Sequence, residues 1–129
     1  ATFNRILRIR EDLRKDGSEL ASERNEEREV LSTLTRLENE RSQGISDFSQ
    51  TGTQAVSVSD LWFQRQFIDA INTDIKHGNE ALDEVRTRIA DTEGDIDHLK
   101  EADFHEQLNL EQNELDDVAT MQFSRREAV

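Results

Sequence analysis

Proline, cysteine and tyrosine are absent from the sequence, and each absence removes a class of structure. Proline costs about 3 kcal/mol inside a helix, so 129 residues without one leave long helices unbroken. Without cysteine there is no disulfide framework, thiolate nucleophile or paired-cysteine metal site. Aromatic residues are 5% of the chain and hydrophobic residues 33%, against 35% charged. That is too little apolar surface for an ordinary compact core of this length. Two possibilities remain, disorder or long helices that bury only a narrow seam. No apolar run approaches the roughly 20 residues needed to cross a bilayer. The first residues, Ala1 to Arg5, carry no signal-peptide pattern. These features predict a soluble, cytoplasmic protein. Basic charge is also scarce. The net charge of −13 disfavours nucleic acid and anionic lipid as partners and favours a basic or polar protein surface.

Periodicity decides between disorder and helix. Leu61, Ile68, Ile75, Leu82, Ile89 and Ile96 recur every seven residues. Ile71, Val85 and Leu99 fill the alternate seam, with Gly78 and Thr92 as its weak points. A seam sustained this long predicts a coiled coil. Ser57 followed by Asp60 has the pattern of a capping box before the apolar run. The first segment is looser. Ile6, Leu13, Leu20 and Leu34 share one register, and Ile9, Val30 and Leu37 lie near the second. Asp16, Gly17, Glu23 and Glu27 interrupt them. Residues 42–58 carry Gly44, Gly52 and several Ser and Thr with one charge, Asp47, which is loop composition.

The predicted fold is therefore all-α: two long helices, 3–43 and 59–124, joined by a loop at 44–58. They pair as an antiparallel coiled-coil hairpin whose second helix is longer and overhangs. Residues 1–41 hold nine basic and ten acidic side chains, whereas residues 61–99 hold four and nine. This asymmetry favours pairing between segments over self-pairing of the second. At 1.5 Å per residue the first helix spans about 60 Å and the second about 100 Å. With residue 43 opposite 60, residue 3 falls opposite roughly residue 100. The strong heptad ends there, at Leu99, with Asp103 next in register. Phe104, Leu108, Leu115 and Val118 form a new stripe beyond it, either a frayed tail or a docking surface. Leu61, Trp62, Phe63, Phe67 and Ile68 begin the second helix, and not all of them fit one face. They either pack under the loop with Phe48 or form a partner-binding patch.

Catalytic chemistry has no foothold. No nucleophile–base motif or phosphate loop appears, and no cofactor is implied. Asp97, Glu101 and His105 share a helix face at metal-ligand spacing, but a solvated charged face accounts for them. The expectation is a non-enzymatic protein without a metal.

Three stretches carry a family likeness. Phe3 to Arg10, Phe-Asn-Arg-Ile-Leu-Arg-Ile-Arg, pairs an aromatic residue with a Leu- and Arg-rich turn. Leu61 to Ile71 gives an aromatic start to the second helix. Leu110 to Ala119, Leu-Glu-Gln-Asn-Glu-Leu-Asp-Asp-Val-Ala, is followed by Arg125 and Arg126. Together they resemble the FliJ family, the small coiled-coil component of the bacterial flagellar type III export apparatus. The resemblance implies a stalk that enters the ring of the export ATPase, FliI, touches the export-gate protein, FlhA, and binds substrate chaperones. It implies a chain monomeric alone and recruited to the inner face of the cell membrane without inserting. The gate contact would fall on Trp62, Phe63, Phe67, Ile71, Asp74 and Gly78, although Asp74 and Gly78 depart from an apolar anchor. The ATPase contact would fall on Phe3, Ile6, Leu7, Arg10, Leu108, Leu115 and Val118. The stalk of a virulence secretion system shares this physics, and a self-assembling structural or scaffolding coiled coil is the alternative from another class.

Overall fold

The computed structural model describes residues 1–52 and 57–128, with side chains described at 1–51 and 57–123. Two helices account for it: α1, Thr2–Gly52, and α2, Val58–Ala128. They pack against each other, and α2 is the longer. No residue among those described has a positive φ or a cis peptide bond, so each helix runs without a backbone interruption. The N-terminus of α2 is capped as its sequence predicts. Ser57 Oγ accepts a hydrogen bond from the Asp60 amide at 3.2 Å, and the Ser57 carbonyl accepts from Leu61 at 3.3 Å. The first bond occupies a backbone donor that the first turn leaves free, and the second is the first bond of the helix itself.

Along α1, buried and half-buried positions recur at alternating spacings of three and four: Ile6, Ile9, Leu13, Asp16, Leu20, Glu23, Glu27, Val30, Leu34, Leu37, Arg41, Gly44, Phe48 and Thr51. The same spacing in α2 runs from Leu61 through Gln64, Ile68 and Ile71 to Leu110. This is the 3.5-residue period of a coiled-coil seam.

The chain divides into two compact units. One, residues 22–89, holds the hydrophobic core: Leu34, Leu37, Ile71, Ile75, Leu82 and Val85, with Val30 and Ile89 packed against it. Val85 is fully enclosed. Each fully buried side chain of this kind contributes about 1.5–3 kcal/mol. Within this unit the helices run antiparallel. Gln64 Nε2 donates to Thr51 Oγ1 at 2.9 Å, Arg41 donates to Asn72, and Arg86 Nε donates to Glu27 at 3.1 Å. Two seam positions hold glycine. At Gly78 an added Cβ would lie 2.6 Å from Leu34 Cδ2, so the missing side chain makes room for a leucine from across the seam. At Gly44 an added Cβ would sit 3.4 Å from Ile68 Cγ1.

The other unit, residues 1–21 with 90–129, has a more polar seam. Ile6 is buried at 3% exposure, and Thr92 is buried. Ile9, Leu13, Leu20, Ile96, Leu99 and Leu110 are half-buried. Asp103 and Glu106 take seam positions and meet arginines from α1. Arg10 Nε lies 3.5 Å from Asp103, and Arg5 Nη1 lies 3.7 Å from Glu106.

The helix boundaries and the register differ from the sequence expectation. Residues 44–52 are helical, not loop, and Val58 already belongs to α2; residues 53–56 of the expected loop lie outside the described residues. Nine further helical residues in α1 shift the pairing by about as much. Gly44 faces Ile68 instead of residue 59, and Arg5 reaches Glu106 where residue 3 was expected opposite roughly residue 100. The stretch from Phe104 to Leu110 is therefore paired along its seam. Every residue from Glu111 to Phe123 is exposed.

Candidate docking surfaces

Three surfaces combine exposed apolar side chains with a defined shape. The first lies in the 22–89 unit. Phe63 and Phe67 stand one turn apart on α2, each one position before a seam residue, and are 65% and 55% exposed. On α1, Glu40, Gln43, Gly44 and Asp47 face them across a groove of about 430 Å³. The absent side chain of Gly44 leaves its floor open, with the Phe67 ring 3.5 Å from where a Cβ would be. Gln64 also lines it; its Oε1 is buried without a hydrogen-bond partner among the described residues, while its amide nitrogen serves Thr51. Trp62 meets the Phe63 ring edge-on at 5.1 Å and is itself 57% exposed. Of this aromatic cluster, Leu61 and Phe48 are half-buried, whereas Trp62, Phe63 and Phe67 face outward.

A second groove in the same unit is lined by Val30, Thr33, Leu37 and Gly78. Asp74, His77 and Arg36 line its edges, so it is more polar than the first. Ile71, by contrast, is core at 4% exposure. It holds the helices together and offers no surface to a partner. Six residues named for the gate contact thus separate: Phe63 and Phe67 in the first groove, Asp74 and Gly78 in the second, Trp62 beside Phe63, and Ile71 beneath.

The third surface lies in the other unit. Phe104, Leu108, Leu115 and Val118 are all about half exposed or more, and Met121 and Phe123 continue the apolar run. At 3.6 residues per turn their mean direction lies about 130° around the helix from the seam formed by Asp103, Glu106 and Leu110. The stripe points away from α1, which would leave it uncovered at any length. On α1, Phe3 and Leu7 are exposed while Ile6 is core. Phe3, Ile6 and Arg10 share a shallow groove with Gln107, Leu110 and Glu114. The structure therefore brings the N-terminal residues of the expected ATPase contact beside α2 near Leu110, with Leu115 and Val118 further along the helix.

Charge across the seam is arranged differently from the sequence expectation in the 22–89 unit. There α2 supplies the bases and α1 the acids: Arg88 Nη2 lies 2.7 Å from Glu26, and Arg86 lies 3.1 Å from Glu27. The Arg88 hydrogen bond holds the Glu26 carboxyl below its usual range, and Glu26 in turn raises Arg88. Arg14 does the same to Glu11 one turn away on α1. The expected sense, base on α1 and acid on α2, holds in the other unit for Arg5 and Arg10.

Among the described residues no group of acidic, histidine or cysteine side chains is placed to hold a metal ion. His98 borders a polar gap with Asp12, Asp16 and Asp95, and His105 stacks near the edge of Phe104. No helix among the described residues is long and apolar enough to cross a membrane. The residues that sequence reading missed are on α1: Glu40, Gln43, Gly44 and Asp47 complete the aromatic groove. Their signal was present, because Leu37, Arg41, Gly44, Phe48 and Thr51 keep the three-four spacing through the stretch whose composition reads as loop. No family model, curated protein or solved structure matches the chain.

Proposed function

We propose that this protein is a non-enzymatic coiled-coil adaptor of the FliJ kind, a stalk that links the export ATPase ring to the export gate and carries substrate chaperones. One observation supports a docking role above all. The Phe104–Val118 stripe faces away from the helix that pairs with α2, so it stays exposed in the chain alone. Four outward apolar side chains at helical spacing are a recognition surface for another protein. The resemblance of Leu110 to Ala119 to the family's C-terminal stretch supplies the identity of that protein, the export ATPase. The aromatic groove beside Gly44 then serves the second partner, the gate. On this reading Phe63 and Phe67 carry the gate contact directly, whereas Ile71 acts by holding α2 in place. Recruitment to the inner face of the membrane follows from the gate contact and needs no membrane-spanning segment.

Mixing the full chain with its cognate ATPase and with the gate cytoplasmic domain tests the reading. Leu115→Asp with Val118→Asp should weaken ATPase binding at least about tenfold, the loss of more than 1.4 kcal/mol expected when apolar anchors are replaced by charge. Helicity should be unchanged, because both side chains are exposed. Unchanged binding would remove the stripe from the contact, and no binding to either partner would remove the export role. Light scattering separates the other class: a self-assembling scaffold grows with concentration, whereas the stalk stays monomeric.

A further inference from the structure

The groove at Gly44 has a polarity that its apolar walls conceal. Its polar atoms are nearly all acceptors. Glu40 and Asp47 contribute carboxylates, and Gln64 contributes a buried Oε1 with no hydrogen-bond donor among the described residues. The two amide nitrogens nearby are each engaged once: Gln64 Nε2 donates to Thr51, and Gln43 Nε2 donates to Asp47 at 2.8 Å. Among the described residues no basic side chain lines the groove; Arg36 reaches Glu40 from outside it. The remaining walls are the two phenylalanine rings. Acceptors in excess over donors, two of them carboxylates, set beside aromatic faces, are complementary to a flat cation. An incoming carboxylate would be repelled, and an aliphatic side chain would leave Gln64 Oε1 unmet.

We infer that this groove receives the guanidinium of an arginine carried on a helix of a partner protein. A guanidinium stacks on an aromatic ring while its fork of N–H groups reaches carboxylate and amide oxygens, which a compact, strongly hydrated ammonium does less well. The guest backbone is helical because the groove runs between two helices, and a third helix laid along it also covers Phe63 and Phe67. Gly44 is the enabling residue. A methyl group there would make ordinary contact with Ile68 and Phe67, but any longer side chain would occupy the space the guanidinium needs. This inference deepens the docking role proposed for the aromatic groove, and it does not depend on which protein supplies the arginine.

The test uses the full-length chain and two synthetic 18-residue amphipathic helical peptides that differ at one position, arginine in one and citrulline in the other. Citrulline keeps the shape and removes the charge. The arginine peptide should bind about tenfold tighter or more, in line with a desolvated cation–π contact plus charged hydrogen bonds. Amide shifts in an NMR titration should centre on Gly44, Phe63 and Phe67. Asp47→Asn and Gly44→Leu should each abolish the preference, while Asp116→Asn, a charge outside the groove, should leave it intact. If Gly44→Leu loses helicity, Asp47→Asn alone decides, since Asp47 is exposed and its loss leaves the seam untouched. Equal binding of the two peptides, binding of neither, or an equal loss in Asp116→Asn would overturn the inference. If the arginine preference holds while the gate domain fails to bind, only the export identity falls.

Discussion

Leu34 occupies the space that a side chain at Gly78 would claim, so these two positions form one packing unit across the seam. Leu34→Ala alone should cost about 2–3 kcal/mol, because the cavity it leaves is bordered by a residue with no side chain to fill it. Gly78→Leu alone should cost about 1–3 kcal/mol by overpacking against Leu34. The double variant exchanges large for small across the seam. It should recover about 1–2 kcal/mol of the summed losses in urea unfolding. Strict additivity would show that the two side chains do not share a site. Ion pairs act on a smaller scale. Glu26 is held below its usual range first by the hydrogen bond from Arg88, and burial opposes that shift. A carboxyl depressed in the folded state adds stability above its unfolded pKa and loses it as pH falls through the folded value. The pair is exposed, so solvent screens it and the effect is small. Arg88→Gln should therefore lower the thermal midpoint slightly at neutral pH, where the pair contributes, and leave it unchanged well below the ordinary glutamate pKa of about 4.5, so that the acid limb is flatter. An acid limb identical to that of the parent would remove the pair from the pH response.

At the scale of the helix, glycine separates positions where the backbone is merely weakened from positions where space is needed. Gly17 and Gly94 have no atom within 4 Å of an added Cβ, and neither has a positive φ. Alanine at each should raise stability by about 0.5–1 kcal/mol, because glycine gives up more conformational entropy on folding and nothing obstructs the methyl group. Gly78→Ala should not share that gain, since its methyl meets Leu34. A gain at Gly78 equal to those at Gly17 and Gly94 would show that Leu34 moves aside without cost. The same distinction explains what sequence made legible. The heptad from Leu61 to Ile96 and the Ser57 cap fixed α2, because aliphatic side chains at period seven have few other readings. The end of α1 was misread because Gly44, Gly52, Ser and Thr suggest a loop by composition, and spacing across 37–51 argued the opposite more weakly. Glu23 and Glu27 looked like interruptions, yet both hold seam positions, Glu23 at 4% exposure and Glu27 bonded to Arg86. A short-range pattern rule has no place for a seam carboxylate whose partner lies 59 residues away. The aromatic groove was half legible: Phe63 and Phe67 were visible, but their acidic opposite wall depended on a register that the misplaced turn had shifted.

Charge over the whole chain sets a competition that the individual ion pairs do not decide. Attraction comes from a few cross-helix pairs, exposed at their arginines, Glu27–Arg86 and Glu26–Arg88 in one unit and Arg5–Glu106 and Arg10–Asp103 in the other. Each contributes about 0.2–1 kcal/mol at most when exposed. Repulsion comes from 29 acidic side chains against 16 basic ones. It is concentrated in residues 90–123, where eleven acids accompany the single base Lys100. Raising salt from 0.01 to 0.1 M shortens the screening length from about 30 Å to about 10 Å. Close pairs at 2.7 to 3.7 Å lie far inside either length and change little. Like charges spaced two to five turns apart on α2, about 11 to 27 Å, lie between the two lengths, so their repulsion is what salt removes. The thermal midpoint should therefore rise over this range, by about 4 °C if the relief amounts to roughly 1 kcal/mol for a chain of this size. Replacing Asp95, Asp97 and Glu101 with their amides should reproduce much of that rise at low salt and reduce the further response. A midpoint that falls with added salt would mean that the cross-helix pairs outweigh the self-repulsion of α2.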